Sequence, residues 1–140
     1  MAGDPPPRLL ETALYAADLD AAEAFYGGVL GLEIVVRSEG RHIFFRCGDG
    51  MLLVFDPART EGGPPPGALP VPGHGARGPG HVCFAADAAA LDAWRRRLEA
   101  AGVAVEADFR WPGGARSLYV RDPAGNSVEF AEPALWGFAD

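Results

Sequence analysis

Three residues combine chemistry-bearing side chains with spacings that set them at comparable places in the two halves of the chain: Glu11, His81 and Glu129. Glu129 follows a turn, Asp122-Pro123-Ala124-Gly125-Asn126, in a run that alternates. Val128 and Phe130 are apolar on one face, and Ser127, Glu129 and Ala131 share the other. A carboxylate in mid-strand, flanked by residues that must be buried, needs a partner, so Glu129 is solvated in a cleft, salt-bridged or bound to a cation. Glu11 repeats the pattern over residues 9–16, with Leu10, Thr12 and Leu14 on one face and Glu11, Ala13 and Tyr15 on the other. His81 shares its face with Cys83 and Ala85, opposite Val82 and Phe84. Arg46, Arg116 and Arg121, on neighbouring expected strands, compete as plain ion-pair partners for the two glutamates. Taken jointly, two carboxylates and an imidazole on matched strand faces point to a divalent-cation site.

The elements that must position these side chains follow one pattern twice. After the first strand, Asp20 followed by Glu23 reads as a capping box, and Ala22, Phe25, Tyr26, Val29 and Leu30 recur at helical spacing until Gly31. Residues 32–37, 42–46 and 51–55 read as short strands joined by Gly-containing turns. Residues 58–79 hold six Gly and six Pro and have no periodicity, so they form a linker that can also serve as a lid. A second strand over residues 80–86 leads to a helix capped by Asp87, with Leu91, Trp94 and Leu98 on one stripe and an end at Gly102. Residues 103–108, 117–121 and 127–131 supply three more strands. The order is βαβββ in each half, and the offset from Glu11 to His81 is 70, from Gly31 to Gly102 71 and from Pro57 to Pro133 76. The expected fold is therefore α+β: a single domain over residues 1–140, with modules at 9–57 and 80–133. Together they form a half-open, curved mixed sheet with helices on the convex side. The concave set then contains Glu11, His81 and Glu129.

Composition removes several classes of function. With 140 residues, about half of them apolar, there is material for one proper core. The net charge of -7 excludes nucleic acid as a partner and gives a membrane surface nothing to hold. All twelve basic residues are Arg, which excludes Schiff-base chemistry and the usual Walker loop. No apolar run reaches the length of a membrane span, and residues 1–8 lack the regions of a signal peptide, so the expected location is cytoplasmic. Cys47 and Cys83 are expected as buried free thiols. His42, at a strand start, and His74, in the linker, are expected to be solvated, and Arg95, Arg96 and Arg97 to form a wet helix face.

The sequence resembles the vicinal oxygen chelate superfamily, also called the glyoxalase, bleomycin-resistance and extradiol dioxygenase group, over nearly its whole length. The resemblance rests on Glu11 to Leu19, on Ala24-Phe25-Tyr26 with Val29-Leu30-Gly31-Leu32, on Gly80 to Phe84, and on Tyr119-Val120-Arg121-Asp122-Pro123-Ala124-Gly125-Asn126 leading to Glu129. It implies metal ligands at Glu11, His81 and Glu129, with Leu53 standing where glyoxalase I and methylmalonyl-CoA epimerase relatives carry a further ligand. Extradiol dioxygenases and fosfomycin thiol transferases share the count of three ligands but typically have a His at the place of Glu11. The more anionic set here favours Mn²⁺, Mg²⁺, Zn²⁺, Co²⁺ or Ni²⁺ over Fe²⁺ and argues against oxygen activation.

The activity implied is that of a lyase, isomerase or transferase whose cation engages adjacent oxygens of a small-molecule substrate and stabilises an enolate or oxyanion. By the same resemblance Glu129 doubles as the proton-moving base and Tyr119 hydrogen-bonds the substrate, with Trp111 and Arg116 placed at the rim. A homodimer is implied as well. The competing reading is a metal-free drug-binding protein of the bleomycin-resistance type, which requires the three candidate ligands to be paired internally.

Overall fold

In the computed structural model, which describes residues 3–140, two four-stranded sheets carry the chain. Met1 and Ala2, the start of the N-terminal segment read above, lie outside the described residues. The first sheet has β1 (Glu11–Tyr15), β2 (Glu33–Ser38), β3 (His42–Cys47) and β4 (Gly50–Phe55) in the order β1-β4-β3-β2. The second has β5 (His81–Ala85), β6 (Ala107–Arg110), β7 (Arg116–Arg121) and β8 (Ser127–Ala131) in the order β5-β8-β7-β6. In each, the first strand runs parallel to the last and the remaining pairs are antiparallel. The doubled βαβββ order holds. Among the described residues no ladder joins the two sheets, so the curved surface is built from two four-stranded sheets, and neither closes into a barrel.

Local chemistry accounts for most boundaries and corrects some. Helix α1 (Leu19–Glu23) is capped by Asp18, whose carboxylate accepts from the Ala21 N–H, and not by Asp20, which lies in the first turn where a negative charge suits the helix dipole. The helix then widens into a π-helical segment, Ala24–Val29, with Leu30 N–H reaching Phe25 C=O. A short helix α2 (Pro57–Thr60) occupies the start of the expected linker, because Asp56 caps it and Pro57 fits the first turn. Helix α3 (Ala88–Ala100) begins on its Asp87 cap as expected. Residues 103–106 do not enter a ladder; Val103 and Val105 are spent on the core, and β6 starts at Ala107. The apolar stripes of α1 and α3 and one face of each sheet feed one core, which includes Tyr26, Phe45, Leu52, Leu91, Leu118 and Phe130. The other face of each sheet looks away from it.

Two polar networks fasten this arrangement. The Asp122 carboxylate, buried at the β7–β8 turn, accepts from four donors: Tyr26 Oη (2.7 Å), Ala124 N, Asn126 N and Asn126 Nδ2 (each 2.9 Å). Asn126 in turn accepts from Gly80 N (2.7 Å) and donates to Tyr15 C=O (3.2 Å), so one turn holds elements of both modules. The second network is a clamp around Asp108, which accepts from Arg116 (2.8 Å, twice) and Arg95 (2.6 Å). Arg116 also donates to Asp92 (2.6 Å). Arg116 is therefore spent on tying β7 to β6 and α3 and is no part of a substrate rim. Arg95 is not merely wet, and Arg97 lies over the Trp94 ring at 5.1 Å.

Removing the Tyr26 hydroxyl leaves a buried carboxylate one donor short, so Tyr26→Phe is expected to lose about 1.5–3 kcal/mol in urea denaturation. The Asp108 carboxyl is held down at about 2, chiefly by its hydrogen bonds from Arg116 and then from Arg95. Because the folded-state value lies below the unfolded one, this contribution is whole above about pH 5 and is lost as pH falls toward 2. Thermal melts from pH 5 to 2 should show a steeper fall for wild type than for Asp108→Asn.

Candidate active site on the open face of the second sheet

Glu129 is 5% exposed although it lies on the open side of β8. Its Oε2 accepts from Ser117 Oγ at 2.6 Å, and Ser117 Oγ is itself held by Trp111 Nε1 at 2.8 Å. Its Oε1 stands 3.2 Å from His81 Nε2. The ladder explains the meeting: Cys83 and Tyr119 lie directly opposite Glu129 on either side, and His81 lies opposite Ser127 on the same face. His81 Nδ1 is 3.1 Å from the Ser127 carbonyl, which can only accept, so that nitrogen carries the proton. Nε2 then presents a lone pair to a carboxylate, two acceptors face to face, unless a second proton or a cation lies between them.

The donor set was tested against a divalent cation on that geometry. Two ligands at bond lengths of about 2.1 Å, set 90–110° apart, lie roughly 3.0–3.4 Å from each other. The observed 3.2 Å falls within that span. A metal-bound His commonly donates its other N–H to a backbone carbonyl, as His81 does here. These two residues fit. Glu11 is not with them: it is exposed on β1, on the open face of the other sheet, beside Leu53. Among the described residues of one chain, no three His, Cys, Asp or Glu side chains converge as a metal site.

Burial and the same carboxyl together raise its neighbours' pKa values. Burial, then Glu129, pushes Tyr119 up to about 12, so its hydroxyl stays a donor at neutral pH. Partial desolvation at the sheet face, then Glu129, pushes the Cys83 thiol to about 12 as well, although the residue as a whole is exposed. Both thiols are free, as expected, but neither is buried; Cys83 is exposed and Cys47 half-buried. Aromatic rings frame the face: Tyr119 stacks between His81, at 6.3 Å, and Phe109, at 5.9 Å, and Trp111 meets the edge of Phe109.

A family profile described as the Glyoxalase/Bleomycin resistance protein/Dioxygenase superfamily matches residues 8–130. The chain belongs to that superfamily. Among members of this glyoxalase superfamily, it is 54% identical to a lactoylglutathione lyase of Agrobacterium tumefaciens of known structure, over 96% of this chain and all of that one, with a TM-score of 0.89. It is 35% identical to an uncharacterized protein of Pseudomonas aeruginosa across 89% of this chain and 88% of that protein. A glyoxalase/bleomycin resistance protein/dioxygenase from Nocardioides shares the fold at 22% identity and a TM-score of 0.72, over 94% of this chain and 86% of the other. No helix among the described residues is long and apolar enough to cross a membrane.

Sequence reasoning missed Ser117, although its spacing of two from Tyr119 already put both on one face of β7. It also placed His42 and His74 in solvent. Instead His42 stacks on Phe44 at 4.1 Å, and His74 meets Phe55 at 4.6 Å and Tyr15 Oη at 2.7 Å, both within a cavity of the first module. In a Cys47→Ser background, alkylation of exposed Cys83 by iodoacetamide at pH 8 should run on the order of a hundredfold slower than that of a free thiol. Glu129→Gln should speed it, which checks that the buried carboxylate is charged.

Proposed function

We propose that this chain is a metal-dependent glyoxalase-like lyase or isomerase that moves a proton between adjacent oxygen-bearing carbons of a small thiol adduct of the lactoylglutathione type. The observation that carries it is His81 Nε2 standing 3.2 Å from the Glu129 carboxyl while Nδ1 faces the Ser127 carbonyl, an arrangement into which a cation would fit. Identity of 54% to a lactoylglutathione lyase supports the choice of reaction. Bound between these side chains, a divalent ion would supply Lewis-acid stabilisation to an oxyanion developing on the substrate.

The protein's own residues do the rest. Ser117 fixes Glu129 Oε2, leaving Oε1 to face the reactants. The carboxylate takes the proton from the carbon bearing the hydroxyl, and the C–H electron pair forms a double bond to the neighbouring carbon as that carbon's carbonyl oxygen gains charge. The proton then returns to the neighbouring carbon, while the hydroxyl proton passes to the neighbouring oxygen and the first carbon becomes the carbonyl. No oxidant is consumed. Tyr119, kept protonated, donates to a substrate oxygen as charge grows there.

Glu11 completes the set from a second copy of the chain. β1 and β5, which carry Glu11 and His81, are the edge strands of their sheets, and both open faces look away from the common core. Apolar groups that a partner would cover stand in solvent, among them Leu9 (96% exposed), Leu10 (71%), Trp136 (77%) and Phe138 (70%).

Metal analysis of untagged protein, with turnover of lactoylglutathione in both directions, tests the reading. Bound metal near one per chain, cation-dependent turnover, and a loss of about 10²–10⁴ in kcat for Glu129→Gln are expected. Coexpressed Glu11→Gln and Glu129→Gln chains should regain about a quarter of wild-type activity, because each mixed dimer keeps one intact site. No recovery would place the whole site in one chain, and a wild type that neither holds a cation nor turns over would leave the metal-free binding protein.

A further inference from the structure

The Gly/Pro-rich linker covers a cavity of about 310 Å³ against the β2–β3 turn and helix α2. We propose that this cavity binds a phosphate dianion, free or as a monoester, between Arg41 and Arg59. Neither arginine takes part in the reaction proposed above, so the site stands or falls without it.

The linker makes the roof by closing on itself. The Thr60 carbonyl accepts from Gly63 N–H (3.3 Å) and from His74 N–H (3.0 Å), and a side chain at Gly73 would meet Gly63 N at 2.8 Å. Residues 63–73 therefore leave and return at one point, as in compact surface loops whose ends meet. Between those ends Pro64, Pro65, Leu69 and Pro72 line the cavity, and Arg41, Arg59 and Thr60 complete it. The Arg41 backbone is pinned on both sides, its N–H on Ser38 C=O at 3.0 Å and its C=O on Asp56 N–H at 2.9 Å. Arg59 Nη1 reaches the same turn, 3.4 Å from where a side chain at Gly40 would begin.

Three donors in this one space lack a matching acceptor. None of the ion pairs among the described residues includes Arg41 or Arg59. Arg41 gives one N–H to His42 Nδ1 at 2.6 Å, which leaves most of its fork. The acids flanking α2 are engaged elsewhere: Asp56 accepts from Ala58 N–H, and Glu61 pairs with Arg77 at 2.9 Å. Thr60 is 3% exposed, and its Oγ1 is a buried side-chain oxygen with no hydrogen-bond partner among the described residues. A buried hydroxyl left in that state costs free energy until an acceptor reaches it. Two guanidinium groups at one turn likewise repel each other until an anion lies between them. A carboxylate offers one charge and two oxygens. A phosphate dianion offers two charges, and its oxygens suffice for both forks and the hydroxyl.

Calorimetric titration at about pH 8, where phosphate carries its second charge, tests this with inorganic phosphate, glycerol 3-phosphate and acetate. Hydrogen exchange of the linker peptides, with and without phosphate, locates the site. Wild type should bind phosphate at least about tenfold more tightly than acetate, and Arg41→Gln and Arg59→Gln should each weaken phosphate about tenfold or more, Thr60→Val a few-fold. Phosphate should slow exchange over residues 61–74 in wild type and not in Arg59→Gln, whose exposed side chain can be replaced without loss of fold. Tighter binding of the ester assigns the site to a monoester, and equal or weaker binding assigns it to free phosphate. Binding of neither phosphate below about 10 mM, affinity that survives both arginine substitutions, or binding that leaves linker exchange unchanged overturns the inference.

Discussion

A buried carboxylate, Asp122, is the point on which the two modules depend. An ion removed from water is tolerated only when its lone pairs are filled, and here the filling groups come from the α1 region and from the turn itself. Asn126 extends the network to β1 through the Tyr15 carbonyl and to the start of β5 through Gly80. At Gly80 a side chain would meet Leu14 at 3.2 Å and Asn126 Oδ1 at 3.3 Å, so the closeness of the modules is built into a residue without one. The consequence reaches the site. Ser127 N–H bonds the Gly80 carbonyl, which sets β8 beside β5 in the register that lays His81 against the Ser127 carbonyl, and Glu129 follows two residues on, on the same face.

The ordinary use of a strand carboxylate is to neutralise an arginine, and the structure shows why Glu129 is not so used. Arg46 pairs with Glu33, Arg121 with Glu106, and Arg116 is enclosed by Asp108 and Asp92. Arg116 sits beside Ser117 on β7, but neighbouring residues of a strand point to opposite faces, so the one well-buried guanidinium of that strand is kept off the open side. What remains around Glu129 is a hydroxyl, a phenol, a thiol and an imidazole, none of which must be positive. Burial, and then Glu129 beside them, raises the pKa of the phenol and the thiol.

Period-two alternation, Gly and Pro punctuation and the repeat itself made the doubled module, the sheet faces and the shared open face of His81 and Glu129 legible from residues alone, while Tyr119 came with the resemblance. What escaped depended on contacts across long stretches of chain. Arg116 looked available because Asp92 and Asp108 are distant in sequence or lie on another strand, and only folding makes them its clamp. His74 looked wet because a Gly/Pro-rich segment carries no periodicity, while its actual position is set by a partner 59 residues away, Tyr15. The resemblance grouped Glu11 with His81 and Glu129, but a single chain gathers only two of the three, since matched positions in a repeat need not converge in one copy.

The ladder also shows how the two copies of the module have diverged. Ala13 faces Leu53 across β1 and β4 as Cys83 faces Glu129 across β5 and β8, so Leu53 and Glu129 hold the same place in their sheets. At that place the second module buries a carboxyl group, and its neighbours are polar groups that can bond to it. The first buries a leucine, and the face around it becomes apolar and concave. In the first module His42 holds the place of Ser117 and Glu11 that of His81, so the group matching the imidazole there is a second carboxyl. The repeat thus supplies two frames of one geometry, and a single exchange of carboxyl for aliphatic side chain separates the frame that gathers polar groups on its open face from the frame whose open face is apolar and concave.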